Sequence, residues 1–194
     1  MALDKEAHYE IETRVRAGFY SPERIIEIVC EELYEPGEVS PDEVEPVVRA
    51  VFRALEHEAA EWPDITDCDR LDAAFAAMRR ERIIALQNAG YTQSDGYDDV
   101  LEEFANVRKK ETILGYCFYH GQDLERAVWG DGLYLAFGPI DSKEEETKGS
   151  EVGRMVVEKL REAGLQTVWD GTFEKRILVT KLSWKRRRDF RVGV

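Results

Sequence analysis

The chain has 194 residues, of which 43% are hydrophobic, 10% aromatic and 35% charged, and its formal net charge is −13 at pH 7. These proportions are typical of a folded globular protein and exclude wholesale disorder. The negative charge repels phosphate backbones, so we expect no nucleic-acid binding by the acidic body.

The first 63 residues are predicted to form a helical region. A helix over residues 5–18 ends near Gly18. Ser21 and Ser40 each precede a proline, which pairs an N-cap hydroxyl with a residue suited to the first helical position, and Glu43 completes a capping box with Ser40. Pro46 lacks an N–H group, which predicts that regular helix begins later than Ser40 indicates. Apolar residues at helical spacing predict a buried stripe in the second helix: Ile25, Ile26, Val29 and Leu33.

Residues 64–194 alternate between helical and extended patterns, after a predicted linker at residues 61–67. Helices are predicted from Thr66 onward, at 97–110, at 122–129 and at 150–163. Strands are predicted at 83–86, 113–120, 133–137, 166–169 and 176–182. The acidic run that begins at Lys143 is predicted to be a solvated loop.

This order of elements contains the split βαββαβ pattern of ferredoxin-like domains with one additional C-terminal strand. The predicted fold class is therefore α+β, with a helical region at 1–63 followed by a ferredoxin-like domain at 64–194. The short helix at 122–129 leaves an alternative open, in which the second and third strands are parallel.

Cys30, Cys68 and Cys117 lie far apart and form no CxxC pair, so neither a disulfide framework nor a zinc ribbon is predicted. No run approaches the ~20 apolar residues that a membrane span needs. The N-terminal segment is polar and acidic, where a secretory signal would be basic and then apolar. We expect a cytoplasmic protein with no membrane contact, no metal and no cofactor.

The last twenty residues carry a net charge of +7, so the other 174 carry about −20. This basic segment either contacts an acidic partner or folds back onto the acidic body, and we favour the second alternative because the charges are complementary within one chain. Its basic residues are Lys175, Arg176, Lys181, Lys185, Arg186, Arg187, Arg188 and Arg191.

None of the GxGxxG, P-loop, HExxH and GxSxG motifs is present, so no catalytic residue is predicted. A first set of ligand-binding candidates follows the first predicted strand, where amides, hydroxyls and two flexible glycines could surround a polar ligand. The alternative is that such residues simply make a turn. The candidates in this loop are Gln87, Asn88, Tyr91, Gln93 and Asp95.

A second set of candidates, His120, Gln122 and Asp123, follows the second predicted strand. A histidine near carboxylates could act as a general base. Alternatively, Asp123 is the N-cap of the short helix and His120 is bound by the backbone. Asp170, at the tip between the last two strands, could close over a site or contact a partner.

Four segments resemble a bacterial domain family of unknown function: ALQNAGYTQSDGYDDV, GYCFYHGQDLERAV, GLYLAFG and WDG. The likeness extends from residue 66 to residue 184 and includes the helical region before it. It implies a bacterial cytosolic protein and transfers no activity. The segment GLQTVWDGTFE is also similar to the regulator of ribonuclease E activity, a small acidic inhibitor, and that similarity favours a binding role.

The leading hypothesis is a non-catalytic binding or regulatory protein whose acidic surface meets a basic protein partner. The alternative is a small enzyme or ligand-binding domain that uses the 87–95 loop with His120 and Asp123. The enzyme hypothesis requires these residues to line one concave pocket. The sequence does not indicate an oligomeric state.

Overall fold

The computed structural model describes residues 3–35 and 37–187 and divides into two compact units. The first unit contains the residues up to Thr66 together with the segment that begins at Trp184. The second unit is Asp67–Ser183. The boundary at Thr66 lies three residues beyond the predicted one.

The helical unit contains three α-helices and one π-helical segment among its described residues: α1 Lys5–Ala17, α2 Pro22–Glu27, the π-helical Ile28–Leu33, and α3 Pro41–Ala59. Ser21 accepts the N–H of Arg24 at 3.1 Å, and Ser40 forms the reciprocal capping box with Glu43. Gly18 follows α1 with φ at 84°. The three predicted helix starts and stops are therefore confirmed.

Two local predictions in this unit are wrong. Pro46 lies inside α3 and does not delay its start. The bond that Pro46 cannot make would go to the carbonyl of Asp42, and both residues are exposed, so water can take the place of the missing donor. Leu33 is 42% exposed although Ile25 and Val29 are buried. The i→i+5 bonding of the π-helical segment moves Leu33 out of phase with the α-helical stripe.

Trp184 and Arg186 belong to the helical unit, and not to the α+β domain in which the sequence placed them. The indole Nε1 of Trp184 donates to the carbonyl oxygens of Arg16 and Ala17, at 3.2 and 3.3 Å. Carbonyls at the end of a helix lack intrahelical partners, so a side-chain donor is favourable there. The guanidinium of Arg186 lies 4.6 Å from the ring centre of Phe19, in a cation–π contact.

Arg187 is also bound to the helical unit, where it donates to the carbonyl oxygens of Asp64 at 3.1 Å and Trp62 at 3.3 Å. Trp184, Arg186 and Arg187 thus contact the helical unit through carbonyl oxygens and aromatic rings. Arg188 and Arg191 lie outside the described residues.

The second unit is a mixed α+β fold. Its helices are α4 Asp67–Arg80, α5 Gln93–Asn106, α6 Gly121–Val128 and α7 Glu145–Glu162. Its strands are β1 Ile83–Leu86, β2 Gly115–Phe118, β3 Leu133–Gly138, β4 Gln166–Val168 and β5 Ile177–Thr180. Every predicted strand is present in this unit.

The five strands form one sheet in the order β1-β2-β3-β5-β4. β1 and β2 are parallel neighbours with Ile83 opposite Gly115, whereas the other pairs are antiparallel. A split arrangement would place another strand between β1 and β2. The ferredoxin-like prediction is therefore not confirmed, and the alternative of parallel second and third strands is wrong.

Two helices begin earlier than predicted. α5 starts at Gln93, because Thr92 and Asp95 form a capping box, so residues 93–96, which lie before the predicted helix start at 97, are helical. α7 starts at Glu145, inside the run predicted as a loop. Acidic residues in a first helical turn are stabilised by the helix dipole, and Lys148 pairs with Glu144 at 2.8 Å.

The helices cover both faces of the sheet. Phe137 of β3 points toward α7, where a side chain at Gly153 would meet its ring. The preceding residue, Ala136, points to the opposite face and packs in a cluster with Val100 of α5. α4 packs on α7 and β1, and α6 packs on β3. Because β1 and β2 are parallel neighbours, the loops that follow them emerge together at one end of the sheet.

Candidate functional site

The two predicted candidate loops lie side by side because β1 and β2 are parallel. Three backbone hydrogen bonds continue the pairing beyond the strands: Ala89 N–H to Tyr119 O at 2.9 Å, Gly121 N–H to Gly90 O at 3.0 Å, and Gln122 N–H to Tyr91 O at 3.2 Å. The carboxyl ends of parallel strands are a common location for functional loops. The backbone thus brings together the two sets of residues that the sequence singled out.

Gln87 and Asn88 line a cavity of about 390 Å³ at the end of β1. Gln87 is held in place on both sides of its amide: its Nε2 donates to Asp72 Oδ1 at 2.8 Å, and its Oε1 accepts from the Tyr119 hydroxyl at 3.0 Å. Asn88 adopts a left-handed conformation with φ at 52°, which asparagine tolerates better than most residues. The rest of the cavity wall comes from Arg79, Ala85, Leu86, Ala89, Asp99, Glu102, Glu103 and Asn106.

Asp95 caps α5 and does not line this cavity. Its Oδ2 accepts the N–H groups of Thr92 at 2.8 Å and Tyr91 at 3.2 Å. These bonds, led by that from Thr92, lower the pKa of Asp95. Gln93 is exposed and its amide reaches the Tyr97 hydroxyl at 3.3 Å. The Tyr91 side chain is half exposed.

His120 and Asp123 are brought together by the first turn of α6, and Arg176 joins them from the residue before β5. Nε2 of His120 lies 2.9 Å from Oδ2 of Asp123. Nη1 of Arg176 donates to both oxygens of Asp123, at 3.1 and 2.9 Å, and lies 3.4 Å from the His120 ring nitrogen. His120 and Asp123 are only 4% and 2% exposed. The guanidinium also stacks on Tyr134 at 5.0 Å.

Burial favours the neutral forms of both His120 and Asp123. It lowers the pKa of His120, with the Arg176 charge acting in the same direction and Asp123 opposing it. Burial also raises the pKa of Asp123, against the opposing charges of Arg176 and His120. At 2.9 Å, Nε2 and Oδ2 must have a proton between them. Nδ1 of His120 is buried and makes no hydrogen bond with a described residue, although the Tyr91 backbone is close enough to favour the protonated ring.

Sequence reasoning missed Arg176 as a site residue. It lies 53 positions from Asp123, and no local pattern links an arginine that precedes a strand to the start of another helix. Only the pairing of β5 with β3 places it there.

Gln122 and Asp170 do not join the cluster through their side chains. Gln122 is exposed, and its backbone makes the contact with Tyr91 described above. Asp170 Oδ1 accepts from the Thr172 N–H at 2.9 Å and from its hydroxyl at 2.8 Å, which lowers the pKa of Asp170. It borders a separate open groove along α7 with Arg154 and Trp169.

The candidates therefore occupy separate places. Gln87 and Asn88 line the cavity at the end of β1, Asp95 caps α5, and His120 and Asp123 form the buried cluster. Asp95, His120 and Asp123 do not contribute to the wall of the cavity that Gln87 and Asn88 line.

One helix beside the cavity is unusual in its charge. Four exposed carboxylates, which we call the α5 acidic face, are Asp98, Asp99, Glu102 and Glu103. α5 contains no lysine or arginine. None of the four forms an ion pair within residues 3–35 and 37–187. Other helices contain opposite charges four residues apart, as in Glu12–Arg16, Glu45–Arg49 and Glu144–Lys148.

Across the described part of the chain, no three histidine, cysteine, aspartate or glutamate side chains are grouped as metal ligands would be. No helix in that same part is both long enough and apolar enough to span a bilayer.

A comparison with curated proteins and with solved structures found no match, and the similarity to the regulator of ribonuclease E activity is not shown. The predicted resemblance to an uncharacterised domain family is confirmed. The model of a family described as a domain of unknown function (DUF6891) matches residues 2–188, so the chain belongs to that family.

Proposed function

We propose that the protein is a non-catalytic binding or regulatory protein that contacts a basic segment of a partner protein through the α5 acidic face. The observation that carries this proposal is that Asp98, Asp99, Glu102 and Glu103 form no ion pair among the described residues. Elsewhere the chain pairs helical acids with bases one turn away.

The spacing of these carboxylates destabilises α5 when no partner is bound. Asp98 and Glu102, and likewise Asp99 and Glu103, are like charges four residues apart, and each such pair destabilises a helix by about 0.2–0.5 kcal/mol. Glu102 and Glu103 also lie near the negative end of the helix dipole. A cationic partner would reverse both effects, so binding would stabilise α5.

The neighbouring cavity is chemically suited to a guanidinium or ammonium group. Asp99, Glu102 and Glu103 line its wall, and so do the amide residues Gln87, Asn88 and Asn106. The one basic residue that the structure describes in this wall, Arg79, donates to the carbonyl oxygen of Ala85 at 2.8 Å. A guanidinium can bind a carboxylate through two parallel hydrogen bonds, which gives direction as well as affinity. An arginine-rich segment is therefore the preferred partner chemistry.

The enzyme hypothesis has weaker support. It needs the 87–95 loop and the His120–Asp123 pair to face one substrate, and these residues occupy separate places. The net charge of −13 also disfavours a nucleic-acid partner.

An NMR titration of the labelled chain with a short arginine-rich peptide tests the proposal at low salt, where charge contacts are least screened. We expect chemical-shift changes concentrated at α5 and at residues 87–88. An acidic control peptide of equal length, with neither arginine nor lysine, should cause no comparable change. The absence of binding, or changes spread evenly over every acidic helix, would contradict a specific α5 interface.

A further inference from the structure

The connection between β4 and β5 is joined to the first turn of α6 by the buried cluster. Arg176 ends this connection, one residue before Ile177 begins β5. Its Nη1 binds both carboxylate oxygens of Asp123, while Nε2 of His120 binds the same carboxylate. The Asp123 carboxylate thus binds Arg176 from the β4–β5 connection and His120 from the start of α6.

The preceding residues of the connection are held by their own hydrogen bonds. The Trp169 indole donates to the carbonyl oxygens of Thr172 at 2.9 Å and Lys175 at 3.0 Å, and Asp170 binds Thr172. Trp169 and Phe173 also pack against Phe137 of β3, with ring centres 5.4 and 5.9 Å apart. Release of Arg176 would therefore loosen only the end of the connection, next to β5.

The charge of the cluster depends on His120. With a neutral ring, one guanidinium balances one carboxylate. A proton on Nδ1 would place two cations on a single carboxylate, with Nη1 and Nε2 only 3.4 Å apart. The other charged group that acts on His120 is Asp95 at the start of α5, while β3 contributes the uncharged ring of Tyr134 and the loop contributes the Tyr91 backbone.

The two cations differ in their access to water. The His120 side chain is 6% exposed and cannot leave without opening α6, whereas the Arg176 side chain is 32% exposed and already lies at the surface. Repulsion would therefore displace Arg176 rather than His120.

We propose that His120, Asp123 and Arg176 form a proton-operated latch, in which protonation of His120 at Nδ1 releases Arg176 from Asp123 and loosens residues 174–176, while Trp169 and Phe173 stay packed on Phe137. The buried Nδ1, which has no hydrogen-bonding partner among the described residues, is the position that receives the proton from solvent. The Tyr91 backbone beside it can then accept a hydrogen bond that the neutral ring does not make. This latch operates independently of any partner of α5.

The experiment is an NMR titration of the full chain from pH 8 to pH 5 that follows the His120 ring and the Arg176 guanidinium together. Amide exchange of residues 174–176 is measured in the same samples, corrected for the intrinsic pH dependence and referenced to β2. As His120 titrates, we expect the Arg176 N–H signals to be lost and exchange in this segment to accelerate about tenfold for each unit by which an Arg176→Met substitution raises the pKa of His120.

The matched variants are His120→Gln, whose side chain does not titrate, and His57→Gln, which removes an exposed histidine from α3. We expect the first to abolish the response and the second to preserve it. The latch is overturned if Arg176 stays bound while His120 titrates, if His120 does not titrate down to pH 5, or if His120→Gln responds like the wild type. Should His120→Gln fail to fold, the wild-type titration decides alone.

Discussion

Tyr119 donates its hydroxyl hydrogen to Oε1 of Gln87 at 3.0 Å, and Gln87 in turn donates to Asp72 at 2.8 Å. Tyr119 is fully buried and packs edge-on against Phe75. The chain of hydrogen bonds therefore links the end of β2, the end of β1 and α4. It fixes the orientation of an amide that lines the cavity beside the α5 acidic face.

Replacement of Tyr119 by phenylalanine removes the donor and leaves the buried end of this chain unsatisfied. We expect the free energy of unfolding to fall by about 1–2 kcal/mol, measured by urea denaturation. Tyr91→Phe is the matched control, because the Tyr91 hydroxyl is 3.5 Å from Glu125 and half exposed, and it should cost less than about 0.5 kcal/mol. Equal losses in the two variants would refute this role for Tyr119.

Removal of Arg176 and removal of Asp123 should lower the free energy of unfolding by different amounts. Arg176→Met leaves the Asp123 carboxylate buried, and we expect a loss of about 3 kcal/mol at pH 7. Asp123→Asn leaves Arg176, which can reach water, so the loss should be about 1 kcal/mol. Chemical denaturation of both variants makes the comparison, and an equal cost would contradict the assigned burial.

The Arg176→Met loss should also shrink as the pH falls. Burial already raises the pKa of Asp123 above its unfolded value near 3.8, and removal of the guanidinium raises that pKa further. The folded variant then binds a proton in a window where the unfolded chain does not, so acid stabilises it relative to the wild type. A loss that is constant between pH 7 and pH 5 would show that Asp123 does not take up this proton.

Gly18 and Gly37 provide a test of the contact between the C-terminal segment and α1. Both have φ near 85°, so alanine should cost about 1 kcal/mol of backbone strain at either position. At Gly18 a Cβ would also lie 2.8 Å from the side chain of Arg186, whereas at Gly37 it would meet nothing within 4 Å. We expect Gly18→Ala to cost at least about 1 kcal/mol more than Gly37→Ala in urea unfolding followed by tryptophan fluorescence. Equal costs would contradict this contact.

Glu103→Lys should stabilise the folded protein and weaken its binding to an arginine-rich peptide. The new lysine lies four residues after Asp99 and in the last turn of α5, where a positive charge is favourable for both reasons. We expect the thermal midpoint to rise, corresponding to about 0.5 kcal/mol, while affinity for an arginine-rich peptide falls. A gain in both properties would contradict the proposed role of α5.

The local features of the fold were largely predictable from the sequence. Ser21, Ser40 and Gly18 mark helix ends through chemistry that acts within a few residues, and the five strands follow from short apolar runs. The start of α5 was also encoded locally, by Thr92 and Asp95, but the same residues resemble an ordinary turn.

The strand order and the third member of the buried cluster could not be predicted in this way. Adjacent β1 and β2 depend on pairing across 32 positions, and Arg176 reaches Asp123 across 53. Such contacts arise from packing of whole elements, for which a single sequence contains no periodic signal. His120 and Asp123 were found because they share one helical turn.

Calorimetric titration with an arginine-rich peptide at low salt tests the proposed α5 interface most directly. The test variant is Asp99→Asn/Glu103→Gln, and the control is Glu151→Gln/Glu158→Gln, which removes two exposed carboxylates from α7 and changes the net charge equally. If α5 is the interface, the test variant loses about tenfold in affinity, or about 1.4 kcal/mol, while the control changes little. Equal losses would show that the peptide senses only the overall negative charge, and would contradict the α5 interface.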